Sequence, residues 1–353
     1  MIDDISQQQS WTNADLIARL DNAIEGLAKR VSELVDELAV KAEPVGSFAH
    51  FTSLATLALI LENAGKRSNH RLPLVLRLTD VRYLNDPEEG RALNESLASA
   101  PLRASAPYLD PREIHTFSPE EIRTINTFKE WTKRDPKLDS LAAGIEAAAE
   151  PGEYVFVSSF THESDSLDLW RAYGKDGEGV SLSMPFVRAL ATLSDHASQG
   201  FRLYAVKYDD DAKFDAWEYL VPKIKEIIDC SGNIPCSEIQ LLEGAKKRVR
   251  RLMNELHHLY KHERFKSERE IRLLHVGDIG DEIKADVRTN KLYCESPPFF
   301  LGESGGTVTI GPSVRHADLW QRTLSVAVSR LWPENPPNVV QSQFVLRHVT
   351  PAI

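Results

Sequence analysis

Cysteine is scarce. Cys230, Cys236 and Cys294 are the only three in 353 residues, an odd number that leaves a thiol over and does not fit the paired framework of a small secreted domain. The opening residues MIDDISQQQSW also lack the basic and apolar regions of a secretory signal. Long hydrophobic runs are missing too. The longest nearly apolar one, Leu54 to Leu61, carries Thr56 inside it and falls well short of the roughly 20 residues that span a bilayer. These absences predict a soluble cytoplasmic protein with no membrane segment. Basic charge is in deficit, with 42 Lys and Arg against 52 Asp and Glu and a net charge of -10. That balance excludes a surface that tracks a phosphate backbone as a whole and leaves room for local basic patches. Internal repeats and low-complexity tails are absent as well.

What is present suffices for one large core, or a core with a helical annex, at 42% hydrophobic content. From Thr12 onward Leu16, Ile17, Leu20, Ile24, Leu27, Val31, Leu34 and Leu38 recur at mostly three- and four-residue steps. This predicts an amphipathic helix of about seven turns within residues 1–46, packed on the core or, less favoured, forming a homodimer seam. Residues 47–353 read as a single domain. Ser53 caps a helix that Gly65 stops, and Leu74–Leu78, Tyr154–Phe160, Val180–Met184, Phe201–Tyr208, Phe265–Val276, Thr307–Pro312 and Phe344–Val349 read as strands. Helical insertions are expected near 101–153 and 213–263. Strands dispersed among helices without a regular βαβ repeat predict an α+β fold.

The stretch Phe265–Val276 sets two carboxylates and a guanidinium inside an apolar strand pattern. Period-two alternation puts Glu268, Glu270 and Arg272 on one face, with Ile271 and Leu273 on the other. Two readings stay open: a surface strand with an Arg272–Glu270 ion pair, or a catalytic carboxylate oriented by its neighbour. Other constellations are weaker. Cys230, Cys236, His257, His258 and His262 invite a metal, but the cysteines have five residues between them rather than two to four, so no metal is expected. The basic run Lys246–Arg251 reads first as a solvated helix face and second as a nucleic-acid contact. Ser158–Thr161 lacks the glycines of a nucleophile elbow. Trp170 and Tyr173, three apart on a helix, read as core, as does His50 beside Phe51. Asp86, Glu89 and Glu270 would make a magnesium phosphoesterase or nuclease if they converged.

The ordered segments HFTSLATLALIL, LNDPEEGRAL, VSSFTHESDSLDLWRAYGKDGEGVSLSM, AVKYDD, FKSEREIRLL and VTIGPS resemble a widespread prokaryotic family, domain of unknown function 2971, from about Phe48 to the C-terminus. A histidine with an aromatic neighbour before a helix, a serine-bearing strand end and a late Glu-x-Glu strand are in turn similar to ADP-ribosyltransferases of the DNA-modifying branch. That resemblance implies a split mixed or antiparallel sheet gripping NAD, the sole cofactor expected, as substrate. His50 would then bond a ribose of NAD and Thr52 fix the backbone beside Phe51. Ser159 and Phe160 would shape the nicotinamide pocket with Tyr173, and Asn85 would brace the loop above. Glu270 would be the catalytic carboxylate, Glu268 would activate the acceptor, and Arg272 would hold a phosphate or lock Glu270. The chain departs from the pattern in having no arginine opening the first strand and Phe51 in place of a tyrosine. The implied function is a toxin-like or phage-defence effector that modifies nucleic acid or protein. The alternative is a non-catalytic nucleotide- or RNA-binding sensor.

Overall fold

The structure, a computed structural model, describes residues 12–40, 46–66, 74–84, 90–93, 95–96, 118–133, 154–195, 200–232, 253–277, 282–287, 289–299 and 305–344. The chain divides into two compact units, each assembled from separated segments. The first comprises Met1–Glu37, Gly90–Gly152 and Lys207–His262, and the second Leu38–Glu89, Glu153–Val206 and Glu263–Ile353.

Helices α1 (Asn13–Leu38), α3 (Pro119–Lys133) and α6 (Asp210–Gly232) build the first unit. α2 (Leu54–Lys66) belongs to the second. Thr12 and Asp15 start α1 by reciprocal capping, each side chain accepting the other's backbone N–H at 3.2 and 3.1 Å. The stripe Leu20, Ile24, Leu27, Val31 and Val35 is buried within the chain. Arg30 donates to the carbonyl of Tyr219 and Glu33 accepts its hydroxyl, fixing α1 to α6. The basic run Lys246–Arg251 and Cys236 lie outside the described residues.

The second unit is α+β. Its strands are β1 (Ser47–Thr52), β2 (Arg77–Asp80), β3 (Tyr154–Thr161), β4 (Val180–Pro185), β5 (Phe201–Ala205), β6 (Glu270–Gly277), β7 (Lys284–Asp286), β8 (Lys291–Glu295), β9 (Thr307–Ile310) and β10 (Asn338–Gln341). They join in one sheet, antiparallel except for the β9–β10 pair. The sheet branches at β3. Along one edge β3 pairs with β6 over its full length, and β6 carries β5. The other edge is shared. β1 meets it at one pair, Ala49 with Thr161, and β2 meets it at Val157 and Phe156 before passing to β8 and β7. Between these contacts the edge of β3 at Ser159 has no strand neighbour among the described residues. β4, β9 and β10 extend the sheet outward from β1.

Alternation gives the branched sheet two faces. One carries Phe48, Phe156, Phe160, Leu182, Met184, Leu203, Ile271, Leu273 and Val308 and forms the core. Leu57 and Leu61 of α2 join it, with Ala189 and Leu193 of α5 (Phe186–Asp195) and Leu324 and Val328 of α7 (Ala317–Leu331). Phe48 lies edge-on to Phe160 with centroids 4.7 Å apart. Burial of side chains this size stabilises by roughly 1.5–3 kcal/mol each, so this contact holds the point where β1 and β3 part.

Three expectations need correction. The strand expected from Phe265 starts at Glu270, because residues Glu263–Glu268 form a 3₁₀ helix and Arg269 is left-handed at φ 43°. Strands β7, β8 and β10 were not anticipated. Of the strand expected at Phe344–Val349, Phe344 carries no strand and the rest falls outside the described residues.

Candidate functional site

His50 stands in the branch. Its Nδ1 lies 3.0 Å from the carbonyl oxygen of Ser159, the group that the missing strand leaves open. A carbonyl only accepts, so the ring proton sits on Nδ1 and Nε2 is left as an acceptor. Burial pushes the imidazole below its ordinary value, against the smaller upward pull of the Ser159 bond, so the ring is neutral near pH 7. With Nδ1 committed to the Ser159 carbonyl, the ring has Nε2 to offer a ligand, as an acceptor.

One strand further on, Arg272 clasps Glu270. Nε donates to Oε1 at 2.9 Å and Nη2 to Oε2 at 3.1 Å, with the two residues 1% and 5% exposed. A buried carboxylate held by a fork of two charged donors is ionised. Pairing across the sheet aligns Ser159 with Arg272 and Thr161 with Glu270, so these four share the face opposite the apolar core. Glu268 sits just outside the strand. Tyr173 donates its hydroxyl to Glu268 Oε1 at 2.6 Å. The phenol is pushed up, by burial first and then by its bond to Glu268, although 44% of the residue is exposed. Tyr173 thus stays a donor at any physiological pH.

Tyr173 is held by α4 (Leu167–Ala172) and by the tight loop after it. Lys175, Asp176 and Gly177 are all left-handed, at φ 50°, 52° and 85°. The loop lies on bare backbone: a Cβ on Gly179 would come 2.4 Å from the carbonyl oxygen of Thr52, and one on Gly311 2.2 Å from that of Gly177. Trp170 fixes the helix itself, with Nε1 2.6 Å from Asp165 and its ring edge-on to Phe51 at 4.8 Å.

Beside the branch opens a cleft of about 660 Å³. His50, Phe51 and Thr52 line it from β1, Thr56 and Asn63 from α2, Arg77 and Thr79 from β2, and Lys291 and Tyr293 from β8. By register Thr79 lies opposite both Val157 and Tyr293, so this wall shares the face of Ser159, Arg272 and Glu270. The branch itself behaves differently. His50 is level with Phe160, 5.5 Å from its ring, on the other face. Ser159, Phe160, Tyr173, Glu268, Glu270 and Arg272 are not among the cleft's lining residues. The expected set therefore gathers around β3, in two groups: His50, Phe51 and Thr52 at the cleft, and the acidic cluster one strand away. Asn85, Asp86 and Glu89 lie outside the described residues. Among those described, no three His, Cys, Asp or Glu side chains are grouped to hold a metal ion.

Sequence reasoning missed Arg77, Lys291 and Tyr293. Their signal was the alternation in Lys291-Leu-Tyr-Cys-Glu295, whose odd positions face the cleft while Leu292 and Cys294 pack inward.

Fold and site together define an α+β protein with a branched mixed sheet, a buried carboxylate–guanidinium pair and a cleft of mixed polar and apolar lining at the branch. Residues 169–273, which span Trp170, the glycine loop and the Glu270–Arg272 pair, match the sequence model of a family described as "Protein of unknown function (DUF2971)". This is a shorter stretch than the resemblance expected from Phe48 onward. No curated protein and no solved structure matches the chain. Among the described residues no helix is long and apolar enough to cross a membrane.

Proposed function

We propose that the protein consumes NAD as an ADP-ribosyltransferase, or as a glycohydrolase when water is the acceptor. The observation that carries this reading is that Arg77, Thr79 and Tyr293 of the cleft wall lie on the same face of the sheet as Ser159, Arg272 and Glu270, with Val157 between the two groups. Its roles follow from the chemistry. The bond between ribose and nicotinamide breaks, nicotinamide leaves with the electron pair, and positive charge develops on the ribose. Glu270, buried and paired with Arg272, would accept from a ribose 2′-hydroxyl and stabilise that charge where water is scarce. His50 Nε2, at the cleft and on the opposite face of the sheet from Glu270, would accept from the other ribose of NAD, with Phe51 and Thr52 beside it. Glu268, oriented by Tyr173, takes the proton of the incoming acceptor. A nucleic acid or protein acceptor in the cytoplasm would make this a toxin-like or phage-defence effector.

Incubation with NAD, chromatographic assay of nicotinamide and a search for labelled DNA, RNA or protein test the reading. Glu270→Gln is expected to lower the rate by roughly two to three orders of magnitude. Unchanged NAD with every acceptor class, or full activity in Glu270→Gln, ends it.

A second reading is favoured by one observation: a single guanidinium occupies both oxygens of Glu270, as in a purely structural pair. The protein would then be a nucleotide- or RNA-binding sensor. A rise in thermal midpoint with NAD and no nicotinamide release selects it.

A further inference from the structure

The cleft has two unlike walls. Leu59 and Ile60 of α2 make one of them apolar. On the other, the Arg77 guanidinium lies 4.3 Å over the Tyr293 ring and is tied to Asp286 Oδ2 at 2.9 Å. The stack and the ion pair fix its plane, and 45% of the side chain remains exposed. A guanidinium backed by an aromatic ring is a surface on which a flat heterocycle stacks. Lys291 is half-buried at the same wall and makes no hydrogen bond or ion pair with any described residue. It lies two residues from Tyr293 on one strand face, roughly 7 Å away, about the span a nucleoside covers between ring and phosphate. A cavity of about 660 Å³ is the size of ordinary small-ligand pockets.

We propose that this cleft binds a purine nucleoside phosphate, with the base between the Arg77 guanidinium and the apolar wall and the phosphate on the Lys291 ammonium. Asn63, at the same cleft, offers both a donor and an acceptor to the base edge. The choice of adenine as the purine rests on the NAD reading above, whereas the stacking surface and the Lys291 ammonium do not. The cleft sets affinity and Glu270 sets the chemical step.

Titration calorimetry of the full chain with AMP, ADP-ribose and inorganic phosphate tests the assignment. AMP and ADP-ribose are expected to bind at one site, inorganic phosphate far more weakly. Lys291→Ala and Arg77→Ala are each expected to weaken AMP at least tenfold, with Lys291→Arg restoring most of the affinity. Thermal midpoints of the unliganded variants identify any that fail to fold, and the half-buried Lys291 position offers Lys291→Gln as the milder second variant. Absence of AMP and ADP-ribose binding at millimolar concentration, or affinity unchanged in both alanine variants, overturns the proposal. If NAD is consumed while these variants leave its KM untouched, the cleft assignment fails and the enzyme reading stands. If AMP binds through Lys291 and NAD is never consumed, the enzyme reading fails and the cleft assignment stands.

Discussion

Glu270 and Arg272 are costly residues to bury, and their pairing offsets much of that cost. Removing the guanidinium strands a carboxylate without its counter-charge, so Arg272→Ala is expected to destabilise the fold by about 3–5 kcal/mol. The joint replacement Glu270→Leu with Arg272→Met is expected to come much closer to wild type. Urea denaturation of the three proteins measures both, and equal losses in the single and joint variants would contradict the pairing argument. His50 gives a pH signature. Its folded value is lowered from 6.5, chiefly by burial, so as pH falls the unfolded chain takes up this proton before the folded one does. The stabilisation is whole above pH 6.5 and fades below it toward the folded value. Wild type is therefore expected to lose more stability between about pH 7.5 and 5.5 than His50→Gln, read from urea midpoints at each pH. The pair was visible in the sequence because carboxylates inside an apolar alternation call for an explanation. The partner of His50 was not, since a backbone carbonyl left open by a diverging strand has no signature in residue types.

At the scale of elements, the loop from Tyr173 to Gly179 shows what glycine supplies. Gly179 has no room for a methyl group against the Thr52 carbonyl, so Gly179→Ala is expected to cost roughly 1–3 kcal/mol and to loosen the hold on Tyr173. Gly65, in exposed α2, meets nothing closer than Leu331 Cδ2 at 3.7 Å. Gly65→Ala should instead raise stability by up to about 1 kcal/mol, and thermal melts of the two variants compare them directly. The helices α1 and α2 were legible because their periodicity and Thr12 or Ser53 caps agree. The start of β6 was not, because Arg269 takes up a left-handed turn that alternation does not reveal. The short strands β7 and β8 escaped for a different reason: three to five residues give period two little length in which to appear.

Across the whole molecule, strands dispersed among helices without a regular βαβ repeat pointed to the α+β class, and the core residues of β1, β3, β4 and β6 were those of the apolar runs. The branching of the sheet was beyond reach, since strand order depends on pairings between residues more than a hundred positions apart, such as Ala49 with Thr161 and Thr161 with Glu270. That branching has a mechanical consequence. β1 and its followers meet β3 through a single rung, supplemented by the bond from His50 to the Ser159 carbonyl and by the rings of Phe48 and Phe160. Ladder bonds weaken steeply when their angle changes, whereas apolar contact has no preferred direction. The joint is therefore held by packing more than by paired backbone, so trimming Phe48 or Phe160 to alanine would loosen the seat of His50 along with the core.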